Sequence, residues 1–470
     1  MSKKCASARA SGVSGITVLK MAEHDAPLQG AARRFLTSAA SRARPFFWWY
    51  STRMKLSEVL RERGYVYQHS SETLEEITDG KKRTVYLGID PSADSLHVGN
   101  LVVLLALRRF LEDGHSVILL TGGGTGMIGD PGGRSGERAL LDEETIAHNS
   151  ARVRAQMEKV FGTADFNSVN NADWLYDLKL LDFLRDVGKH FTVNAMIKKE
   201  MVRERLDAES PISFTEFSYS LLQGYDFMHL NAMHGCDVQI GGSDQWGNIL
   251  AGVEYVRRAS GRTVYGLTVP LLINKATGRK FGKSEEGAIW LDSAKTTPFM
   301  LYQFFLNTDD DAVEEYLLKL TLLPKSEIDE MMQKHASAPG ERQAQRLLAN
   351  TVTELVHGAD AAHSAEKMSE TLFGRSDAAA LSKDEVTALL EGVPSLQTRV
   401  GEPLADVLVQ AALAASKREA RQFMADGAVA LNGAKVTDPS RVLMKEDFQN
   451  APVAIVRRGR RNAAVLTLGS

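Results

Sequence analysis

The chain has 470 residues, 44% hydrophobic and 24% charged, with a formal net charge of −3; one core rarely organises that length, so two to four domains of about 100–200 residues are expected. No run approaches the roughly 20 unbroken apolar residues of a membrane-spanning helix, and Cys5 and Cys236 supply neither a disulfide framework nor a Cys-rich metal site and fit a reducing compartment. The mildly acidic balance gives no global attraction to nucleic acid, so such a partner requires a local basic patch.

Residues 1–53 carry Lys3, Lys4, Arg9, Lys20, Arg33, Arg34, Arg42, Arg44 and Arg53 against only Glu23 and Asp25, amid Ser and Ala. The favoured reading is a disordered extension or an over-long start, because Met54 opens the amphipathic helix "MKLSEVLRERGY" that Gly64 ends. The alternative is an organellar transit peptide, mitochondrial or plastid, in an otherwise cytoplasmic protein. Residues 54–292 alternate short β-rich runs with helical ones and predict an α/β, doubly wound parallel-sheet (Rossmann-like) catalytic domain. Strand signals vanish over 293–398, where "RQAQRLLANTVTELVHG" is typical of an α-helical domain. Residues 402–470 read as a small α+β module, with a capping box at Ser416 and Glu419 and an Asn432-Gly433 hairpin turn.

Chemistry begins in "TVYLGIDPSADSLHVGN". Period two puts Tyr86, Gly88 and Asp90 on one strand face and Val85, Leu87 and Ile89 on the other. Gly88 removes a side chain where a ligand approaches, and Pro91 stops the strand. The next helix begins near His97 and Asn100, two neutral donors beside free backbone amides, where phosphate binds well. Alone, His97 reads more readily as a structural histidine than as a ligand contact.

The next loop, "TGGGTGMIGDPGGRSGER", holds a G-x-G-x-x-G in Gly124, Gly126 and Gly129. A dinucleotide fingerprint needs an acidic residue about 20 positions on, at a strand end. Glu143 and Glu144 have the spacing but open a helix, whose first turn favours acids. With no Gly-Lys-Ser/Thr in this loop either, nicotinamide and P-loop readings of it both fail. Asp130, flanked by Arg134 and Arg138, suits a ligand bearing a cation and an anion.

In "SFTEFSYSLLQGYDF", capped at Ser213 and Glu216, Tyr219, Gln223 and Asp226 share one helix face. A solvated stripe usually carries Lys or Glu; a phenol, an amide and a carboxylate suit specific hydrogen bonding. "VQIGGSDQWGN" runs a strand through Gly241 and Gly242 into a helix, with Asp244 and Gln245 at its mouth. "NKATGRKFGKSEEG" crowds Lys275, Arg279, Lys280 and Lys283 into a Gly-containing loop, which alone would read as solvated surface.

In this order, these clusters resemble the bacterial type of tyrosyl-tRNA synthetase, a class I aminoacyl-tRNA synthetase. "HVGN" at His97–Asn100 looks like the family's His-Ile-Gly-His signature and "KFGKS" at Lys280–Ser284 like its Lys-Met-Ser-Lys-Ser loop. The resemblance runs from about Met54 to the C-terminus, where the last module is similar to an S4-like RNA-binding domain. It implies that Tyr86 and Asp226 bind the phenol of L-tyrosine, and that Asp130, Tyr219 and Gln223 hold its ammonium group. It further implies His97 and Asn100 at the ATP phosphates, Gly88 and Asp90 beside the nucleotide, Gly242 and Asp244 at the ribose, and Gln245 near the reacting carboxylate. Arg134, Arg138, Lys280 and Lys283 would clamp pyrophosphate. Lys417, Arg418, Arg421, Arg457, Arg458, Arg460 and Arg461 would meet tRNA phosphates. ATP with Mg2+ is then a substrate, no metal is ligated by the protein, and no membrane is involved. The partners are the tyrosine tRNA and a second copy in a homodimer, with "FLRDVGKHFTVNAMI" near the interface.

Three positions depart from the pattern: Asn100 stands where many members have the second signature His, Arg134 replaces a common Lys, and Gly132 a common Ser. The implied chemistry is attack of the already ionised tyrosine carboxylate on the α-phosphorus of ATP, followed by transfer to tRNA, with catalysis from positioning and cations rather than a general base. The rivals are a tryptophanyl-tRNA synthetase, against which the Tyr86/Asp226 pair argues, and a non-catalytic synthetase-like RNA-binding protein.

Overall fold

In the strand Thr84–Ile89 (β2), Val85 and Leu87 join one apolar cluster while Tyr86 joins another; in Ser116–Thr121 (β3), Val117 and Leu119 divide from Ile118 and Leu120 in the same way. Both faces of these strands are therefore buried, the signature of a sheet covered by helices on each side. The computed structural model describes residues 54–130, 140–162, 165–274, 278–281, 288–373, 381–448, 453–459 and 462–469. The extension 1–53 lies outside these, as do Arg134, Arg138, Lys275, Lys283, Arg460 and Arg461.

With Gln68–His69 (β1), Asn167–Asn170 (β4), Cys236–Gly242 (β5) and Tyr265–Val269 (β6), the six strands lie in the order β1-β6-β5-β2-β3-β4. Only β1 is antiparallel to its neighbour. Helices Val98–Glu112 (α1) and Glu143–Phe161 (α2) pack Leu101, Leu105, Val153 and Met157 into one cluster with Val85, Leu87, Val117 and Leu119. Helices Phe214–His234 (α3) and Trp246–Ser260 (α4) bring Phe227, Leu230 and Val256 to the opposite face, with Tyr86 and Ile118. Each of these side chains contributes roughly 1.5–3 kcal/mol by leaving water. The chain winds outward in both directions from β2 and β5, so their carboxyl ends flank the switch point where ligands of such sheets bind. The α/β doubly wound reading of the sequence stands.

The helical segment starts at Pro298–Leu306, where Thr297 accepts the Met300 N–H and proline occupies the first turn. It is not a separate globule. Phe299, Leu301, Leu348 and Leu372 belong to the same cluster as the sheet residues Val85 and Leu87. Arg63, 2% exposed, reaches from beyond the first helix, Leu56–Glu62, to the end of helix Val313–Leu320. There it donates to the carbonyls of Leu318 at 2.8 Å, Thr321 at 2.9 Å, and Leu323. A cation at a helix C-terminus satisfies carbonyls that have no partner within the helix. Tyr65 adds a bond from its hydroxyl to the Lys319 carbonyl at 2.9 Å.

The C-terminal sheet has the predicted hairpin: Val429–Leu431 pairs with Ala434–Val436, and Asn432 and Gly433 take φ of 49° and 80°, the left-handed pair a type I′ turn requires. Ser416 caps helix Lys417–Ala425 by accepting the Glu419 N–H. The module begins earlier than 402, however. Ser395–Thr398, read as part of the helical segment 293–398, pairs in parallel with Asn462–Leu468 as the sheet's edge strand. Four residues of mixed polarity carry no strand signal of their own; the pairing is imposed by a partner about 70 residues later.

Arg63→Ala leaves buried carbonyls unpaired and is expected to lower unfolding stability by about 3 kcal/mol or more. Urea denaturation measures it; a change under about 0.5 kcal/mol, the size of an ordinary surface substitution, would mean the arginine is not what joins the helical segment to the sheet.

Candidate active site

At the carboxyl ends of β2 and β5 lies a cleft of about 410 Å³, a usual size for a small-molecule site. Tyr86, Gly88, Asp90, His97, Asn100, Asp130, Tyr219, Gln223, Asp226, Gly242, Asp244 and Gln245 all line it. Residues spread over roughly 160 positions are thus brought to one place by two strands and two helices.

Its innermost part is built around Asp226 on α3. One carboxylate oxygen accepts the Trp174 indole N–H at 2.8 Å and the other the Asn171 amide at 2.9 Å. Burial pushes this carboxyl up to about 7, and nearby Asp90 adds to the shift, while the two hydrogen bonds oppose it. Tyr86, on β2, is 1% exposed and packs edge-on against Phe227 with ring centroids 5.3 Å apart. Its hydroxyl is buried and has no hydrogen-bond partner among the described residues. Burial, and then the charge of Asp226, raise its pKa further above that of an ordinary phenol, so it stays a hydroxyl at neutral pH. An unsatisfied buried hydroxyl costs about 1–3 kcal/mol. It suits a site whose ligand brings the missing partner.

Above this pair the carboxylates of Asp90 and Asp130 join the wall. Asp90 accepts from the Tyr219 hydroxyl at 2.8 Å and the Thr125 hydroxyl at 2.7 Å. Asp130 accepts from the Gln245 amide at 2.6 Å and the Asn248 amide at 3.5 Å. A cationic group would be drawn to this wall at short range, where partial burial weakens screening. The sequence places Asp90 with the nucleotide; the structure ties it to Tyr219, among the residues expected to face an ammonium group.

The glycine-rich loop has its own explanation. The Gly123 N–H donates to the Asn170 side chain at 3.1 Å and the Gly124 N–H to Asn171 at 2.8 Å. Those amides are committed to asparagines and do not form a phosphate cradle. A Cβ at Gly122 would sit 2.0 Å from an Asp90 carboxylate oxygen, so glycine there makes room for the wall. Glu143 and Glu144 begin α2, with Asp142 as its cap.

At the other end of the cleft, His97 caps α1 and its backbone N–H donates to the Asn100 side-chain oxygen at 3.0 Å. That leaves the Asn100 amide hydrogens as donors. The His97 Nδ1 is buried without a partner among the described residues, and burial lowers the ring's pKa, favouring the neutral imidazole. Lys280 lies on the two-residue strand Arg279–Lys280 paired with Ile273–Asn274. The basic residues of the C-terminal module sit away from the cleft: Lys417 pairs with Asp406 at 2.9 Å, Arg458 lies 5.1 Å over the Phe423 ring, Arg457 is half-buried, and Arg418 and Arg421 are exposed.

Sequence reasoning missed Asn171, Trp174, Thr125 and Asn248, which orient the carboxylates. Asn171 and Trp174 stand at and just after a short turn with no periodic pattern. Only the fold reveals that they meet Asp226, more than 50 positions later.

Residues 78–374 match the family model described as tRNA synthetases class I (W and Y), and a doubly wound sheet with this cleft at its switch point is the architecture of a class I aminoacyl-tRNA synthetase. Residues 385–466 match the tyrosine–tRNA ligase SYY-like C-terminal domain. The chain is 46% identical over 419 residues to the tyrosine–tRNA ligase of Roseiflexus castenholzii, covering 87% of this chain and 98% of that one. It is 46% identical over 415 residues to that of Bacillus caldotenax, covering 87% and 98%. Among solved structures it is similar to a C-terminally truncated mitochondrial tyrosyl-tRNA synthetase of Aspergillus nidulans, with a TM-score of 0.63, 33% identity, and coverage of 68% of this chain and 95% of that one. The chain belongs to the bacterial-type tyrosine–tRNA ligase family.

The raised Asp226 carboxyl makes stability depend on pH with a determinable sign. Unfolded, it loses its proton near pH 4; folded, it keeps it to about 7. The folded state thus holds the extra proton between these values, and stability falls as pH rises through that window. Asp226→Asn sets an N–H against one of two donors, a cost independent of pH. It is therefore expected to gain on the wild type as pH rises from about 4.5 to about 7.5, measured by denaturant unfolding; parallel stability curves would refute the assignment.

Proposed function

We propose that the chain activates L-tyrosine with ATP and transfers it to the 3′ end of its tRNA, and that the residues lining the cleft divide this work by position. The observation that carries the reading is the pairing, at the base of the cleft, of a buried hydroxyl without a partner with a buried carboxylate: a donor and an acceptor for a phenol. Phenylalanine would leave the Tyr86 hydroxyl unpaired and bring no donor to Asp226. An indole offers a single N–H and needs a wider slot, which argues against tryptophan.

In this reading the tyrosine ammonium lies among Asp130, Tyr219 and Gln223, with Asp90 behind Tyr219. The carboxylate lies near Gln245. It is ionised at neutral pH, so a carboxylate oxygen attacks the α-phosphorus directly while the bond to the bridging oxygen breaks and pyrophosphate leaves. No protein base takes part, and catalysis rests on alignment and on donors aimed at developing phosphate charge. Neutral His97 and Asn100, at the positive end of α1, would face the phosphates, Gly242 and Asp244 the ribose, and Arg134, Arg138, Lys280 and Lys283 the leaving group. Magnesium would enter with ATP as part of the substrate. A ribose hydroxyl of tRNA then attacks the activated carbonyl and AMP departs. Lys417, Arg418, Arg421 and the arginines from Arg457 to Arg461 would hold tRNA phosphates.

A homodimer is part of the proposal. Leu184, Val193 and Ile197 are large apolar side chains left exposed on the segment expected at the interface, with Leu180 and Leu181 just before it and Phe214 beyond it, and such stretches mark contact surfaces. Light scattering at the mass of one chain would remove it. No described helix is long and apolar enough to cross a membrane, and we place the protein in the cytoplasm.

Amino-acid-dependent ATP–pyrophosphate exchange tests the reaction: label enters ATP with tyrosine and not with phenylalanine or tryptophan. Asp226→Ala should reduce tyrosine-dependent exchange about 100-fold or more, the equivalent of losing a buried charged acceptor. Exchange driven by tryptophan, or retained by the variant, would overturn the proposal.

A further inference from the structure

The signature His97 does not stand alone at the mouth of α1; it is clipped to the segment that follows the basic loop. The Val98 N–H donates to the Ile289 carbonyl at 3.0 Å and the Leu291 N–H to the Leu96 carbonyl at 2.8 Å. His97 and Trp290 thereby face each other across an antiparallel bridge. Their rings meet edge to face, with centroids 6.3 Å apart. Trp290 is itself fixed. Its backbone N–H donates to the Thr296 hydroxyl at 3.0 Å, and the Lys295 ammonium lies 5.3 Å over its ring while pairing with Asp94 at 2.7 Å. Asp292 continues the clip, its N–H donating to the Ser95 hydroxyl at 3.2 Å and its carboxylate pairing with Arg152 of α2.

The imidazole has little else to hold it. Among the described residues its Nδ1 makes no hydrogen bond, so from that nitrogen no polar partner fixes the ring plane. Gly99 lies close to the ring, where a Cβ would fall 2.8 Å from it and 3.3 Å from the Phe281 carbonyl. A ring without a polar anchor is oriented by packing, and an aromatic edge-to-face neighbour favours particular orientations.

We propose that Trp290 is a positioning residue for phosphate transfer: it sets the plane of the His97 imidazole, so that the ring nitrogen facing the cleft meets the phosphates of the nucleotide. The proposal rests on the activation reaction described above and adds to it the residue that aims its histidine. Trp290 also lines the cleft, so direct contact with the nucleotide is the competing role, and the two predict different coupling.

The experiment is tyrosine-dependent pyrophosphate exchange by the full chain carrying Trp290→Leu or Trp290→Phe, each in the wild-type and the His97→Ala background, with folding checked by thermal melts. Trp290→Leu should lower kcat about tenfold, equivalent to ~1.4 kcal/mol at the transition state, and leave the tyrosine KM unchanged. Trp290→Phe, which keeps an aromatic edge, should recover most of the rate. In the His97→Ala background, Trp290→Leu should cost nothing more. Equal losses in both backgrounds would overturn the proposal, because a residue that touches the nucleotide itself adds its effect independently. So would an unchanged kcat, or a Phe variant as slow as Leu. Failure of the wild type to exchange with tyrosine would instead defeat the functional reading.

Discussion

Everything at the base of the cleft follows from placing a carboxylate where water does not reach. Asp226 is 3% exposed, and an ion in such surroundings is tolerated only when its oxygens are occupied by donors. Trp174 and Asn171 fill that role. Each is held in turn: the Trp174 indole stacks on His229 with centroids 4.3 Å apart, and Asn171 also donates to the Thr125 hydroxyl at 2.9 Å. The carboxylate is therefore pre-oriented before any ligand arrives, and little reorganisation remains for binding to drive. The same burial leaves Tyr86 with an unmatched hydroxyl. An apolar ring at the base of the cleft would bring neither group a partner.

The demand spreads outward to the backbone. Thr125 bonds Asp90 as well as Asn171, and Asp90 bonds Tyr219, so the base of the cleft around Asp226 and the carboxylate wall above it belong to one connected network. Room for it is made by glycine: at Gly122, Gly123 and Gly124 a Cβ would meet Asp90, Asn170 and Leu175 respectively, all within 3 Å. A loop that looks made for a nucleotide is glycine-rich because the Asp90 carboxylate, the Asn170 amide and the Leu175 side chain press on it. The likeness to a dinucleotide fingerprint arises from crowding at a strand exit, a need the two kinds of site share.

This explains what the sequence could and could not reveal. Strand faces are legible because period two is a local property: Val85 and Leu87 divide from Tyr86 as alternation requires. The α3 stripe of Tyr219, Gln223 and Asp226 is legible because helical spacing is local too, and all three reach the cleft. Half of the capping box at Ser213 is present: the serine accepts the Glu216 N–H at 3.2 Å, but the Glu216 carboxylate turns to Arg205. What local pattern cannot carry is the company a residue keeps across the fold. Asn171 is one asparagine in "NNADW" until β4 places it beside Thr125 and Asp226. Ser395–Thr398 has no strand character until Asn462–Leu468 supplies its partner.

The basic end of the chain obeys the same logic of packing. In the strand Val453–Arg458, Val453 and Ile455 face the large core shared with the helical segment, while Ala454 and Val456 face the module's own core. Both sides of the strand are then apolar for four residues, and charge is admitted only where the two cores end, at Arg457 and Arg458. Arg458 covers Phe423 of the neighbouring helix with its guanidinium, keeping a cation at the surface while its stem shields an aromatic face. A chain with net charge −3 can thus present a positive edge to a polyanion without basic residues elsewhere having to compensate, because electrostatic attraction to phosphates is set within about a Debye length of the surface rather than by the total charge.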